Sequence, residues 1–150
     1  MTTLRCSKRF GNVTPLAKEN LLTRASMLHH VQVVMPAHRE MEARQFDGEV
    51  MGLEELEKPD SLKVRGGVWF VAGTLQVHLG VEAEFAPARK AHLAYQVPDL
   101  TAMRERLVLE GYTVIADADL PGYARFYTAD PFGNRVEVLS PFTEPDQVTG

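Results

Sequence analysis

The chain has almost no cysteine: Cys6 is the only one in 150 residues. An internal disulfide is therefore excluded, and a reducing, cytoplasmic setting is the expectation. It also lacks any apolar run near the roughly 20 residues that a membrane-crossing helix needs, so no membrane association is expected. Positive charge is in short supply. Lys and Arg number 16 against 20 Asp and Glu, a net charge of −4. A nucleic-acid partner, which favours a basic surface, is not expected. What remains is ordinary for a globular domain: 45% hydrophobic and 24% charged residues in a length suited to a single core.

The charge is unevenly placed. Residues 1–26 carry Arg5, Lys8, Arg9, Lys18 and Arg24 against Glu19 alone, and they lack the continuous apolar core of a signal peptide. They are expected to be a flexible basic extension, residues 27–143 the domain, and residues 144–150 a frayed tail.

Within the domain one plan occurs twice, over 27–85 and over 90–141. Each half opens on a strand-like apolar run that holds a histidine, "LHHVQVVM" with His30 and "AHLAYQV" with His92. A helix follows. In the first half it is expected over "HREMEARQF", with Met41 toward the core and Phe46 anchoring the end. In the second it spans "LTAMRERLVLEG", with Asp99 as N-cap, Leu100, Met103 and Leu107 on one face, and Gly111 as the stop. "MGLEELEKPDSLKVRGG" reads as connecting structure. Each half then closes on an aromatic-rich strand, a glycine-containing turn and a last strand. "VWFVAG" and "TLQVHLGV" turn near Ala72-Gly73, and "ARFYTAD" and "RVEVLS" turn through "DPFGN".

Strand alternation sorts the side chains into two faces. Val31, Val33, Leu93, Tyr95, Val97, Val77, Leu79, Val136 and Val138 form the apolar faces. His30, His92, His78 and Glu137 all fall on the opposite, mixed faces. Three imidazoles and a carboxylate make an N/O donor set that suits Zn²⁺, Ni²⁺, Co²⁺, Mn²⁺ or Fe²⁺. If the two sheets curl so that the mixed faces meet, the four residues line one cleft. Trp69 and Tyr127 occupy matching places in the two halves, as core residues or cleft walls. Arg89 lies just before His92, near where a cleft would open. His29 is expected on the face opposite His30, and His38 in the first helix.

The succession "HHVQVVMP", a helix ending in Phe46, "RGGVWF", "LQVHLGV", "KAHLAYQVPDL" and "RFYTADPFGNRVEV" resembles the vicinal oxygen chelate superfamily. Its members include glyoxalase I, fosfomycin-resistance transferases, extradiol dioxygenases and bleomycin-resistance binding proteins. The most specific piece is the ending marked by Tyr127, Asp130, Pro131, Gly133 and Glu137. The resemblance implies an α+β fold of two βαβββ modules forming an open, barrel-like mixed sheet around a cleft.

It further implies metal ligands at His30, His92 and Glu137, with His78 where typical glyoxalase I enzymes have glutamate. Asp47 stands where the family pattern has tyrosine. On this basis the expected activity is that of a glyoxalase-like, divalent-metal-dependent lyase or isomerase acting on a small substrate with adjacent oxygens. Glu137 would be the base, Arg89, Trp69 and Tyr127 would contact substrate, and the assembly would be a homodimer. An Fe²⁺ extradiol-type dioxygenase and a non-enzymatic binding protein of the bleomycin-resistance type remain open, as does whether the site lies within one chain or between two.

Overall fold

The computed structural model describes residues 24–142. Most of the expected basic extension, and the tail at 144–150, lie outside the described residues. The order of elements is β1 (His30–Met35), α1 (Glu40–Ala43) widening into a π-helical segment (Arg44–Val50), β2 (Glu54–Leu56), α2 (Asp60–Lys63), β3 (Val68–Ala72) and β4 (Leu75–Val81). The second half follows as β5 (Leu93–Gln96), α3 (Leu100–Leu109), β6 (Ile115–Ala116), β7 (Tyr123–Ala129) and β8 (Arg135–Pro141).

Two four-stranded sheets result, ordered β1-β4-β3-β2 and β5-β8-β7-β6. The first and last strands of each half pair in parallel, and the other pairs are antiparallel. The two halves thus share one βαβββ topology, and neither sheet closes into a barrel. No helix among the described residues is long and apolar enough to cross a membrane.

Several elements form for the reasons their sequences offer. Asp99 caps α3, its Oδ1 accepting from Ala102 N–H at 2.9 Å. Gly111, at φ 85°, carries the chain out of that helix. Gly67, at φ 79°, admits the close approach of β4: a Cβ there would lie 2.1 Å from the Leu79 carbonyl oxygen.

The first half departs from expectation in three places. The helix starts at Glu40, and His38 sits before it in a left-handed turn at φ 63°. Met41 points to solvent with 74% exposure, while Ala43, Phe46 and Val50 take the core. Phe46 lies five residues beyond Met41, so the two face different sides of the helix. The segment read as connecting structure contains β2, an edge strand on β3. Its glutamates are compatible with an edge exposed to water, and they disguise it as a loop.

The apolar faces of the two sheets turn toward a common interior. One cluster joins Phe46, Val50, Leu107, Phe126, Val136 and Val138, so the first module's helix packs on the second module's sheet. The other joins Met35, Val68, Phe70, Val77, Leu79 and Phe132, with Val31 and Val33 of β1 and Leu93 and Tyr95 of β5 packed against it. Leu53 and Tyr95 touch both clusters.

Asn134 of "DPFGN" ties the halves together. Its Nδ2 donates to the Val34 carbonyl at 2.9 Å and to Asp130 Oδ2 at 2.7 Å, and its Oδ1 accepts from Ala88 N–H at 2.9 Å. Replacing Asn134 by Ala strands those buried partners and is expected to cost about 2–4 kcal/mol in urea unfolding. A cost under half a kcal/mol would show that the tie does not matter.

Asp47 sits in this interior at 5% exposure, and its Oδ2 has no hydrogen-bond partner. Burial, with a smaller contribution from Asp130, pushes its carboxyl from an ordinary 3.8 up to about 8. The folded state therefore holds the protonated form more tightly than the unfolded chain does. Stability from this group is full below pH 4 and declines as pH rises through about 8. Asp47→Asn should raise Tm by ~5 °C or more at pH 9 and change it little at pH 4. Equal Tm differences at both pH values would contradict this.

Candidate metal centre

The four ligand-type residues come together as two pairs, one on each sheet. In the first, His30 begins β1, and the pairing of Gln32 with His78 puts the β1 and β4 side chains on one face. His78 is directly opposite Trp69 of β3. Their rings stack at 3.8 Å between centroids and 3° between planes. His30 stacks on the other side of His78 at 4.5 Å and 13°. His78 is thereby buried, with its Nε2 3.0 Å from Gln76 Oε1. Burial first, then the nearby His30, His29 and Lys58, hold its imidazole below the usual histidine range.

This stack limits what the first pair can do. An imidazole lone pair lies in the plane of its ring. Two nearly parallel rings held 4.5 Å apart do not direct their lone pairs at one ion. Trp69 fixes His78, whereas His30 is exposed, so His30 is the ring free to turn. His29 is also exposed, and its Nδ1 lies 3.1 Å from His30 Nδ1. It precedes β1, so strand alternation does not fix its direction as expected from the sequence. A cavity of about 440 Å³, with Lys58 on its wall, lies over the stack.

The second pair is closer to a chelating arrangement. His92 Nε2 is 2.8 Å from Glu137 Oε2, and His92 Nδ1 is 2.9 Å from the Lys90 carbonyl. That second contact fixes the ring and selects Nε2 to face the carboxylate. Glu137 is 4% exposed. Its other oxygen accepts from Arg125 Nη1 at 3.2 Å. Arg125 is itself fully engaged: it donates to the Tyr127 hydroxyl at 2.9 Å, the Ala118 carbonyl at 2.7 Å and Asp117 at 3.3 Å. Tyr127 stands opposite Glu137 in the β7–β8 ladder, as Trp69 stands opposite His78. Its ring meets His92 edge-on at 5.5 Å. Arg89 lies on the rim of a cavity that Tyr127 also lines.

The expectation that all four residues face one cleft does not hold within a single chain. Val31 and Val33 share the interior with Leu93 and Tyr95, so the histidine faces of β1 and β5 are the ones turned away from it. Among the described residues no group of three or more His, Cys, Asp or Glu side chains converges. Imidazole and carboxylate donors suit a divalent ion chemically, and the described residues hold them as two separate pairs. Arg125 was not singled out from the sequence. Its alternation with Tyr127 along β7 was the available signal.

No family model and no curated protein matches the chain. Among solved structures, a glyoxalase family protein from Bacillus anthracis is 44% identical, with a TM-score of 0.76, over 79% of this chain and 98% of that one. The chain belongs to the glyoxalase family, within the vicinal oxygen chelate superfamily. Two more distant structures share the fold. A glyoxalase/dioxygenase from Nostoc punctiforme is 19% identical with a TM-score of 0.67, covering 87% of this chain and 98% of that one. Lactoylglutathione lyase from Agrobacterium tumefaciens is 19% identical with a TM-score of 0.61, covering 78% and 95%.

The Arg125–Glu137 contact at 3.2 Å is open to a direct test of coupling. Arg125→Ala should cost about 2 kcal/mol, because it leaves a buried carboxylate without its guanidinium. Adding Glu137→Gln should recover part of that loss in a double-mutant cycle. Strict additivity of the two changes would show that the contact carries no coupling.

Proposed function

We propose that this chain is a divalent-metal-dependent enzyme of the glyoxalase type, a lyase or isomerase acting on a small substrate with adjacent oxygens. The observation that carries the reading is the His92–Glu137 contact at 2.8 Å, in which an exposed imidazole meets a buried carboxylate and each is held by a second partner, the Lys90 carbonyl and Arg125. His30, His92 and Glu137 are the ligands, and His78 is the fourth donor position. The ligand faces turn away from the interior of their own chain, which supports a site completed in a homodimer. There His30 and His78 of one copy would meet His92 and Glu137 of the other.

A bound Zn²⁺, Ni²⁺, Co²⁺, Mn²⁺ or Fe²⁺ would polarise neighbouring substrate oxygens and stabilise an enediolate-like charge. The chain's own residues do the rest. His92 presents Nε2 in a fixed orientation. Glu137 holds a carboxylate oxygen toward the reacting centre and is the candidate to carry the proton. Arg125 restrains Glu137 through its other oxygen. Trp69, Tyr127 and Arg89 form walls and rim against substrate.

Metal analysis of protein purified without chelators should find one divalent ion per chain. His92→Ala and Glu137→Ala should weaken metal binding by more than ~100-fold, and His78→Ala, at the fourth donor position, by ~10-fold. Full metal binding by His92→Ala, or no metal under any loading, would sink the reading.

A further inference from the structure

Two guanidinium groups flank Tyr127, and their situations differ. Arg125, 5.4 Å from the ring, is consumed by Glu137, Asp117, the Tyr127 hydroxyl and a backbone carbonyl. Arg135 sits over the Tyr127 ring, its guanidinium carbon 3.7 Å from the ring centroid. Its side chain makes no ion pair or hydrogen bond among the described residues, while its backbone N–H donates to the Ala88 carbonyl at 2.8 Å. Stacking uses the flat face of a guanidinium and leaves its N–H edge free to donate.

The β5–β8 register pairs Leu93 with Val136, which sets His92 beside Arg135 on the face that carries Glu137. Both Glu137 oxygens already have partners, His92 and Arg125, so Glu137 does not claim Arg135. Arg135 and Arg89 line the same cavity of about 560 Å³. Arg89 is exposed and likewise has no acidic partner among the described residues. The rest of the wall is largely apolar, with Pro87, Ile115, Ala129 and Phe132. Ile115 is 59% exposed, which leaves an uncovered apolar surface next to two uncommitted cations.

We propose that Arg135, assisted by Arg89, forms an oxyanion-binding subsite beside the His92–Glu137 pair, for a ligand with a carboxylate or phosphonate on an apolar body. Arg135 offers a fork of N–H donors, prepaid in orientation by the Tyr127 ring. The cavity's apolar wall takes the body of the ligand. The subsite deepens the glyoxalase-type reading, since it would orient such a substrate against the reacting centre. The binding itself needs no metal.

The test is calorimetric titration of the full-length, chelator-treated protein with phenylacetate, benzylphosphonate and phenylacetamide. At least one anion should bind ~10-fold or more tighter than the neutral amide, and the tighter anion names the head group. Arg135→Gln should abolish that preference with Tm unchanged. Arg135→Lys keeps the charge over Tyr127 but lacks the fork, and should lose about threefold or more in affinity. Arg89→Gln should weaken the anion by a few fold. Equal binding of anion and amide, no binding of either anion, or unaltered preference in Arg135→Gln would each overturn the subsite. Metal content is read separately. Metal bound without anion preference removes this subsite alone, and anion preference without metal removes the metal reading alone.

Discussion

The arrangement of the whole molecule depends on one packing constraint: two mixed sheets share an interior. Val31 and Val33 of β1 share a cluster with Leu93 and Tyr95 of β5, and the first module's Phe46 and Val50 lie on the second module's sheet. Burial of these side chains is the main favourable term holding the halves together. Because side chains alternate along a strand, burying those faces fixes the other faces outward. The outward faces are the ones that carry His30, His78, His92 and Glu137. The same packing that stabilises the chain therefore keeps its two donor pairs apart, and makes a second copy the natural complement in the proposed site.

The pairs are prepared to different degrees. His92 and Glu137 are already at 2.8 Å, each with a second contact that fixes its direction. Contacts of this kind fix the direction in which each side chain presents its donor atom. His78 is clamped by Trp69, and His30 rests on it from the exposed side. The internal repeat is thus kept in register but not in chemistry. Trp69 faces His78 through an aromatic stack, whereas Tyr127 faces Glu137 within an arginine network. The His92–Glu137 pair sits in a charged network, and the other pair has one ring clamped by Trp69 and one exposed ring.

Much of this was legible in the sequence. Valine-containing alternation marked β1, β4 and β8, the run "AHLAYQV" marked β5, and "DPFGN" marked the last hairpin. Asp99 announced the start of α3, where its side chain caps Ala102. Alternation placed His30 beside His78 and set Glu137 on the face away from Val136 and Val138, because a period of two needs no tertiary information; His92 lies just before β5 and is aligned by its contact with Glu137. What alternation cannot supply is which way two sheets face each other. That depends on long-range contacts such as Asn134 with Val34. β2 escaped notice because its glutamates are those of an exposed edge. Met41 was misplaced because the helix starts later and widens, which shifts its buried stripe toward Phe46 and Val50. Asp47 was visible as a departure from the family's tyrosine, but its burial without a partner for Oδ2 was not.

The most direct test of the paired-half-site account is complementation between two inactive chains. One carries His30→Ala, the other His92→Ala, and the two are mixed, unfolded and refolded together before metal loading. If each site is shared by two copies, a mixed dimer regains one intact site, and bound metal should rise to about a quarter of the wild-type level under random reassociation. If each site lies within one chain, every site in the mixture lacks a ligand, and metal content no higher than in either variant alone would contradict the account.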